Sequence, residues 1–99
     1  MALQVRITQR AVAQIEAAER WWSVNRLKAP DAFLDDLQAA LQLLAIQPGI
    51  GTRIANTRLA GVRRLHLGRV RYFIFYRVKG NELMVLALWH ASRRSVPPL

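Results

Sequence analysis

The chain begins on a two-residue rhythm, with Leu3, Val5 and Ile7 alternating with Gln4 and Arg6. That is the period of a strand with one face buried. Thr8 is suited to cap a helix N-terminus. From Gln9 to about Val24 the rhythm lengthens: Val12, Ile15, Ala18 and Trp22 share one stripe, with Arg10, Gln14 and Arg20 mostly off it. This predicts an amphipathic helix. Asn25 to Ala29 make a short connection, Pro30 fits the first turn of a second helix, and Asp31 complements its dipole. Phe33, Leu37, Ala40, Leu41 and Leu44 then form a second stripe, with Asp35, Asp36, Gln38 and Gln42 largely away from it. Pro48 and Gly49 end that helix. So short a join predicts an antiparallel helical hairpin.

Ile50 to Gly61 shows neither period and reads as a loop. Val62 to Leu67, Val70 to Val78 and Leu83 to Trp89 read as three strands, joined at Gly68-Arg69 and at Lys79-Gly80-Asn81. The order is βααβββ, an α+β fold with a helical hairpin packed on a small, mainly antiparallel, twisted sheet. One domain over residues 1–99 is expected, with SVPPL, residues 95–99, as a flexible tail. The run Tyr72-Phe73-Ile74-Phe75-Tyr76 and the last strand are apolar on both faces. Helices can cover one face only. The other needs the Ile50–Gly61 loop or a partner segment laid across it.

Composition sharpens that picture. The chain is 53% hydrophobic and 21% charged, enough apolar surface for a folded core. Its formal charge is +9, and residues 51–99 hold all of it: ten basic side chains against Glu82 alone. Such asymmetry favours a polyanionic partner, either nucleic acid or an acidic protein segment. There is no cysteine, which excludes disulfides, zinc ribbons and thiol nucleophiles and suits a reducing cytoplasm. MALQVRITQR lacks the apolar core of a signal peptide, and no run approaches the roughly 18 apolar residues of a membrane span. No membrane partner is expected.

Candidate chemistry is sparse. His66 and His90 are the only histidines, with no carboxylate cluster beside them, so neither metal nor other cofactor is expected. Gly49-Ile50-Gly51 follows a helix stop and makes no phosphate loop. Cleaving RNA through its 2′-hydroxyl needs an acid, a base and cations on the phosphate. Arg64, Tyr76, His90, Arg93 and Arg94 could supply these, with His66 on the strand face of Arg64. A tyrosine placed as Tyr76 is, in so apolar a strand, more often a core residue with its hydroxyl satisfied. Neither helix carries a basic face, which disfavours reading of the DNA major groove.

The N-terminal strand and two helices, LAIQPGIG, LAGVRRL, YFIFYRV and the closing LALWHASRR together resemble the RelE/ParE superfamily of type II toxin–antitoxin toxins, over nearly the whole chain. The resemblance implies a bacterial, cytoplasmic toxin that stabilises plasmids or responds to stress. It also implies a hetero-oligomer with a cognate acidic antitoxin that wraps the toxin. Within the superfamily, RelE-like members cut mRNA on the ribosome and ParE-like members inhibit DNA gyrase. RelE-like nucleases commonly carry an RLVY-like segment; here the run is FIFY, so Phe73 stands where their arginine would. The loop before the strands also lacks the glutamate that some of them use. The resemblance therefore favours the ParE-like branch. Candidate antitoxin contacts are Arg64, Arg71, Phe73, Phe75, Arg77 and Trp89; candidate target contacts are Trp21, Trp22, His90, Arg93 and Arg94. The alternative is a ribosome-dependent endoribonuclease built on Arg64, Tyr76, His90, Arg93 and Arg94.

Overall fold

Thr8 joins the first strand to the first helix with its own side chain: its hydroxyl oxygen accepts the Ala11 N–H at 3.2 Å, satisfying one free donor of the first turn. Around it, a computed structural model describes residues 2–55, 57–93 and 95–99. The elements are β1 (Gln4–Ile7), α1 (Gln9–Asn25), α2 (Ala32–Ile46), a 3-10 turn (Pro48–Ile50), β2 (Thr52–Arg53), β3 (Arg63–His66), β4 (Tyr72–Lys79) and β5 (Glu82–His90). The strands form one sheet in the order β1-β5-β4-β3-β2, with β1 parallel to β5 and the other neighbours antiparallel.

The expected order βααβββ is present, with the short strand β2 added inside the segment read as loop. Thr52 and Arg53 pair with Arg64 and Arg63. So short a strand has no periodicity to read; ladder hydrogen bonds to a distant segment define it. Strands β3 and β4 are shorter at their shared connection than the apolar runs suggested. Leu67 and Val70, at 0% and 1% exposure, turn into the core from that connection, where the Leu67 N–H makes a last bond to the Tyr72 carbonyl at 2.9 Å.

Both helices lie on one sheet face. Phe33, Leu37, Ala40 and Leu44 of α2 and Ala11 and Ala18 of α1 pack against Ile74, Tyr76, Leu83, Val85 and Leu88. Burying each of the larger side chains contributes about 1.5–3 kcal/mol. The stripe of α2 is the one its pattern gave. On α1 the stripe is offset: Ala11 is fully buried while Val12 is 41% exposed. Small residues let this helix approach the sheet closely. The join also differs: α2 starts at Ala32, and Asp31 caps it only in position, making no side-chain bond to the helix.

A bulge adjusts the central pair of strands. Phe75 pairs with Ala87 but Tyr76 with Val85, so Leu86 is the extra residue on β5. Leu86 and Ala87 both face the second side of the sheet, with Val62 and Phe75. β1 pairs with β5 only as far as Val85. Beyond it, Thr8 Oγ1 donates to the Leu86 carbonyl at 3.3 Å and Gln14 Oε1 accepts the Leu88 N–H at 2.9 Å. Side chains thus replace the missing strand along this stretch of edge.

The second face is covered by irregular chain. Ile54 and Leu59 from the loop, and Val96 and Leu99 from the terminal segment, pack on it. Trp89 Nε1 donates to the Ser95 carbonyl at 2.8 Å, and Arg10 donates to the carbonyl of Pro98. The segment read from sequence as a tail thus lies on apolar surface that the helices cannot reach.

The PGIG turn is tied to the sheet by Tyr76. Its hydroxyl, fully buried, donates to the Pro48 carbonyl at 2.6 Å and accepts the Gly51 N–H at 3.0 Å. Arg63 adds bonds to the Gly51 and Gly49 carbonyls at 2.7 and 3.2 Å. Burial pushes the Tyr76 hydroxyl above its ordinary 10.0, with the Gly51 bond and Arg63 opposing. At the other end of the sheet, Asp36 of α2 accepts the Arg69 backbone N–H at 2.8 Å and the Arg69 guanidinium at 2.9 and 3.2 Å. These bonds hold the Asp36 carboxyl below its ordinary 3.8.

Replacing Tyr76 by Phe leaves the buried Gly51 N–H without its partner and is expected to cost about 1–3 kcal/mol in urea unfolding, with an unchanged slope. A Cβ at Gly51 would lie 2.3 Å from the Tyr76 hydroxyl and 2.9 Å from the Arg64 carbonyl, whereas one at Gly49 meets nothing within 4 Å. Gly51→Ala therefore destabilises and Gly49→Ala does not, as their melting temperatures would report.

Because folding lowers the Asp36 pKa, its contribution is complete above the ordinary 3.8 and is lost as pH falls through the lower folded value. Burial raises both Tyr72 and Tyr76, so their contribution is complete below 10.0 and is lost as pH rises through their higher folded values. Unfolding curves across pH should show losses at both extremes, and Asp36→Asn should remove part of the acid limb alone.

Candidate functional site

A cleft of about 580 Å³ opens where the end of α1 meets the adjoining ends of β4 and β5. Three separate parts of the chain converge on it. The last turns of α1 bring Trp21, Trp22 and Arg26; the β3–β4 connection brings Arg69 and Arg71; and the strand ends bring Tyr72, His90 and Arg93. The convergence is a matter of register. Tyr72 and His90 are ladder partners, and the Ala91 N–H donates to the Arg71 carbonyl at 2.8 Å just beyond them.

The aromatic walls are fixed by packing. Trp22 leans on the core and its Nε1 donates to the Ala29 carbonyl at 2.7 Å, while Trp21 remains 47% exposed. Adjacent helical residues point about 100° apart, so only one of the pair can enter the core. The Arg26 guanidinium lies 5.0 Å from the Trp21 ring and 5.7 Å from the Trp22 ring, within cation–π range of both. Tyr72 meets Phe33 edge-on at 5.4 Å behind it and His90 at 5.0 Å beside it.

His90 is held in one tautomer. The Ser92 backbone N–H, which can only donate, points at His90 Nδ1 at 3.1 Å, and the Ser92 hydroxyl lies 2.7 Å from the same nitrogen. The neutral ring therefore carries its proton on Nε2. Burial pushes the Tyr72 hydroxyl above 10.0, against the opposing charge of Arg93, so at neutral pH it remains a hydrogen-bond donor. Arg26, Arg69, Arg71 and Arg93 line the cleft and no carboxylate does. Of these, Arg69 is ion-paired, with Asp36. The cleft is a cationic, aromatic site.

The second sheet face carries another surface, which meets the cleft at Arg93. Arg64 lies 4.4 Å from the Phe73 ring, His66 meets Phe73 edge-on at 5.2 Å, and Arg93 lies 4.1 Å from the Trp89 ring. Phe73 and Trp89 are half-buried here, whereas Phe75 is 1% exposed beneath them and supports the surface from below. Arg77, paired with Met84, sits farther along the same strand.

The structure sorts the expected residues into groups that sequence spacing did not separate. Trp21, Trp22, His90 and Arg93 come together around the cleft, while Arg94 lies outside the described residues. Arg64, Phe73, Phe75 and Trp89 share the second face, and Arg71 stands apart from them at the cleft. The nuclease set is not assembled. Arg64 is on the second face, Tyr76 is buried on the helix side with its hydroxyl engaged at Pro48 and Gly51, and His90 is at the cleft. Cleft residues missed from sequence are Arg26, Arg69, Tyr72 and Ser92. Arg26 could have been found, since it lies four residues after Trp22 on one helix face; Arg69 and Tyr72 depend on strand register and gave no such sign. Among the described residues no group of three or more His, Asp or Glu side chains could hold a metal, and no helix is long and apolar enough to cross a membrane.

Comparison with known proteins places these observations in a family. The sequence matches the family described as the ParE toxin of type II toxin-antitoxin system, parDE, over residues 5–95. No curated protein matches it. Among solved structures, it is similar to a chain of the chromosomal ParDE TA system from P. aeruginosa, with 24% identity and a TM-score of 0.65, covering 92% of this chain and 98% of that one. It is also similar to a chain of the E. coli DinJ-YafQ toxin-antitoxin complex, with 10% identity and a TM-score of 0.64, covering 91% and 93%. Both share the fold of two helices on a mixed sheet. With the match running through every strand and both helices, the chain belongs to the ParE toxin family of type II toxin–antitoxin systems.

Proposed function

We propose that this toxin inhibits DNA gyrase in the bacterial cytoplasm, stabilising a plasmid or answering stress, and is neutralised by a cognate acidic antitoxin in a hetero-oligomer. The family match over residues 5–95 carries this reading. The scattering of Arg64, Tyr76 and His90 supports it against RNA cleavage, because acid, base and phosphate ligand must lie within hydrogen-bond reach of one another. The target contacts are assigned to Trp21, Trp22, His90 and Arg93 at the cleft, with Arg94 beside them in sequence. An exposed tryptophan flanked by arginines has the composition of an interface anchor.

The antitoxin contacts are assigned to the second face, where Arg64, Phe73, Arg77 and Trp89 offer cations beside half-buried rings, and to Arg71. Phe75 stiffens that face from below. An acidic, amphipathic segment would relieve the repulsion within a chain of net charge +9 and cover apolar surface at once.

Purified protein is expected to abolish supercoiling by gyrase and to leave ribosome-bound mRNA intact. Intact supercoiling with cleaved mRNA would instead establish the nuclease reading. Trp21→Ala combined with Arg93→Glu should raise the concentration needed for gyrase inhibition about tenfold or more, while melting as the parent does. For the antitoxin, Arg64→Glu with Arg77→Glu should slow association and flatten its dependence on salt, with a smaller change in dissociation, in stopped-flow mixing at two ionic strengths.

A further inference from the structure

We infer that the cleft at the end of α1 binds a segment of single-stranded nucleic acid, its phosphates held by the arginines and a base stacked on the exposed aromatic wall. This goes beyond gyrase inhibition and does not depend on it. The cleft pairs two features that a strand requires together. Arg26, Arg71 and Arg93 approach from three chain segments, with no carboxylate among the lining side chains, while Arg69 beside them is taken up by Asp36. Guanidinium groups present planar forks of donors that match phosphate oxygens. The second feature is the row of rings beside them, with Trp21 47% exposed and Tyr72 held edge-on by Phe33 and His90.

The cleft also extends past a single subsite. Trp21, Tyr72, His90 and Arg93 form a wall shared with an adjoining hollow of about 300 Å³, floored by Ala17, Ala18 and Leu88. A cationic track with aromatic platforms continuing into a second hollow is how proteins hold successive nucleotides without reading their sequence. His90 adds a donor at Nε2, since its Nδ1 is taken by the Ser92 N–H. A purely acidic peptide such as poly-glutamate would engage the arginines but leave the rings facing a hydrated chain. A duplex keeps its bases stacked inside and cannot use the rings. An unpaired strand satisfies both features together.

The test is direct binding, by fluorescence anisotropy, of labelled 12-residue oligonucleotides to the full-length protein with no gyrase present, so it can fail while gyrase inhibition stands, or the reverse. Oligo-dT and oligo-rU are expected to bind more tightly than a duplex of equal length. A preference for one of the two identifies DNA or RNA as the natural strand; equal binding means that the sugar is not read. Contact with about three phosphates gives a log–log salt slope near −2. An abasic strand should bind roughly tenfold more weakly, and Trp21→Ala should lose about the same factor on oligo-dT while losing little on the abasic strand. Arg71→Glu should weaken binding more than Arg53→Glu, which changes the net charge equally on exposed β2. Equal losses for those two variants, equal affinity for the duplex, or tighter binding of a poly-glutamate peptide at the same salt would overturn the inference.

Discussion

The fold depends on a constraint at its centre: β4 and β5 are apolar on both faces, and two short helices can cover only one of them. The bulge at Leu86 makes the pair workable. Without it, residues on one side of that point would carry their side chains to the wrong face, because strand side chains alternate with a period of two. With it, Val85 and Leu88 meet the helices while Leu86 and Ala87 meet the second cluster. The edge of β5 left unpaired where β1 ends is satisfied there by Thr8, the N-cap of α1, and by Gln14 within it. One irregularity thus fixes the two faces and the position of the helix laid against them.

The arginines follow from the same economy of material. A chain this small has few carboxylates to spare, and only Arg6 with Glu82 and Arg69 with Asp36 form ion pairs among the described residues. Other arginines lie over rings instead: Arg26 over Trp21 and Trp22, Arg64 over Phe73, and Arg93 over Trp89. Stacking orients a guanidinium without neutralising it, so the charge remains available to an anion arriving from outside. Two surfaces are built this way, one on each side of the sheet. Arg93 belongs to both, lining the cleft and lying 4.1 Å from Trp89.

Tyr76 and Asp36 perform the corresponding task for the connections. Tyr76 anchors the turn that starts the loop over the second face, and Asp36 anchors the connection that delivers Arg69 and Arg71 to the cleft. Neither residue is itself part of the cleft or of the exposed second face, yet the connections beside both are positioned by them. A tyrosine in a strand flanked by strands that carry arginine and histidine invites a catalytic interpretation. Its 0% exposure and two backbone partners show a structural one.

The sequence alone determined what local periodicity encodes. Alternation marked β1 and the long strands, the stripe of α2 was legible residue by residue, Thr8 announced its helix, and the motif order carried the family resemblance. It also determined that the positive charge lies in the second half and that one of the two tryptophans must face outward. Only tertiary structure decided the strand order, the parallel pairing of β1 with β5, the pairing that makes Thr52 and Arg53 a strand, and the docking of residues 95–99. Each of these rests on contacts between segments far apart in the chain, which no local pattern specifies. The same holds for the site. Arg64 and His90 are equally plausible partners on paper, but the alternation of strand faces and the register of β4 on β5 place them on opposite sides of the sheet, while Arg26, Arg71 and His90 are brought to one cleft.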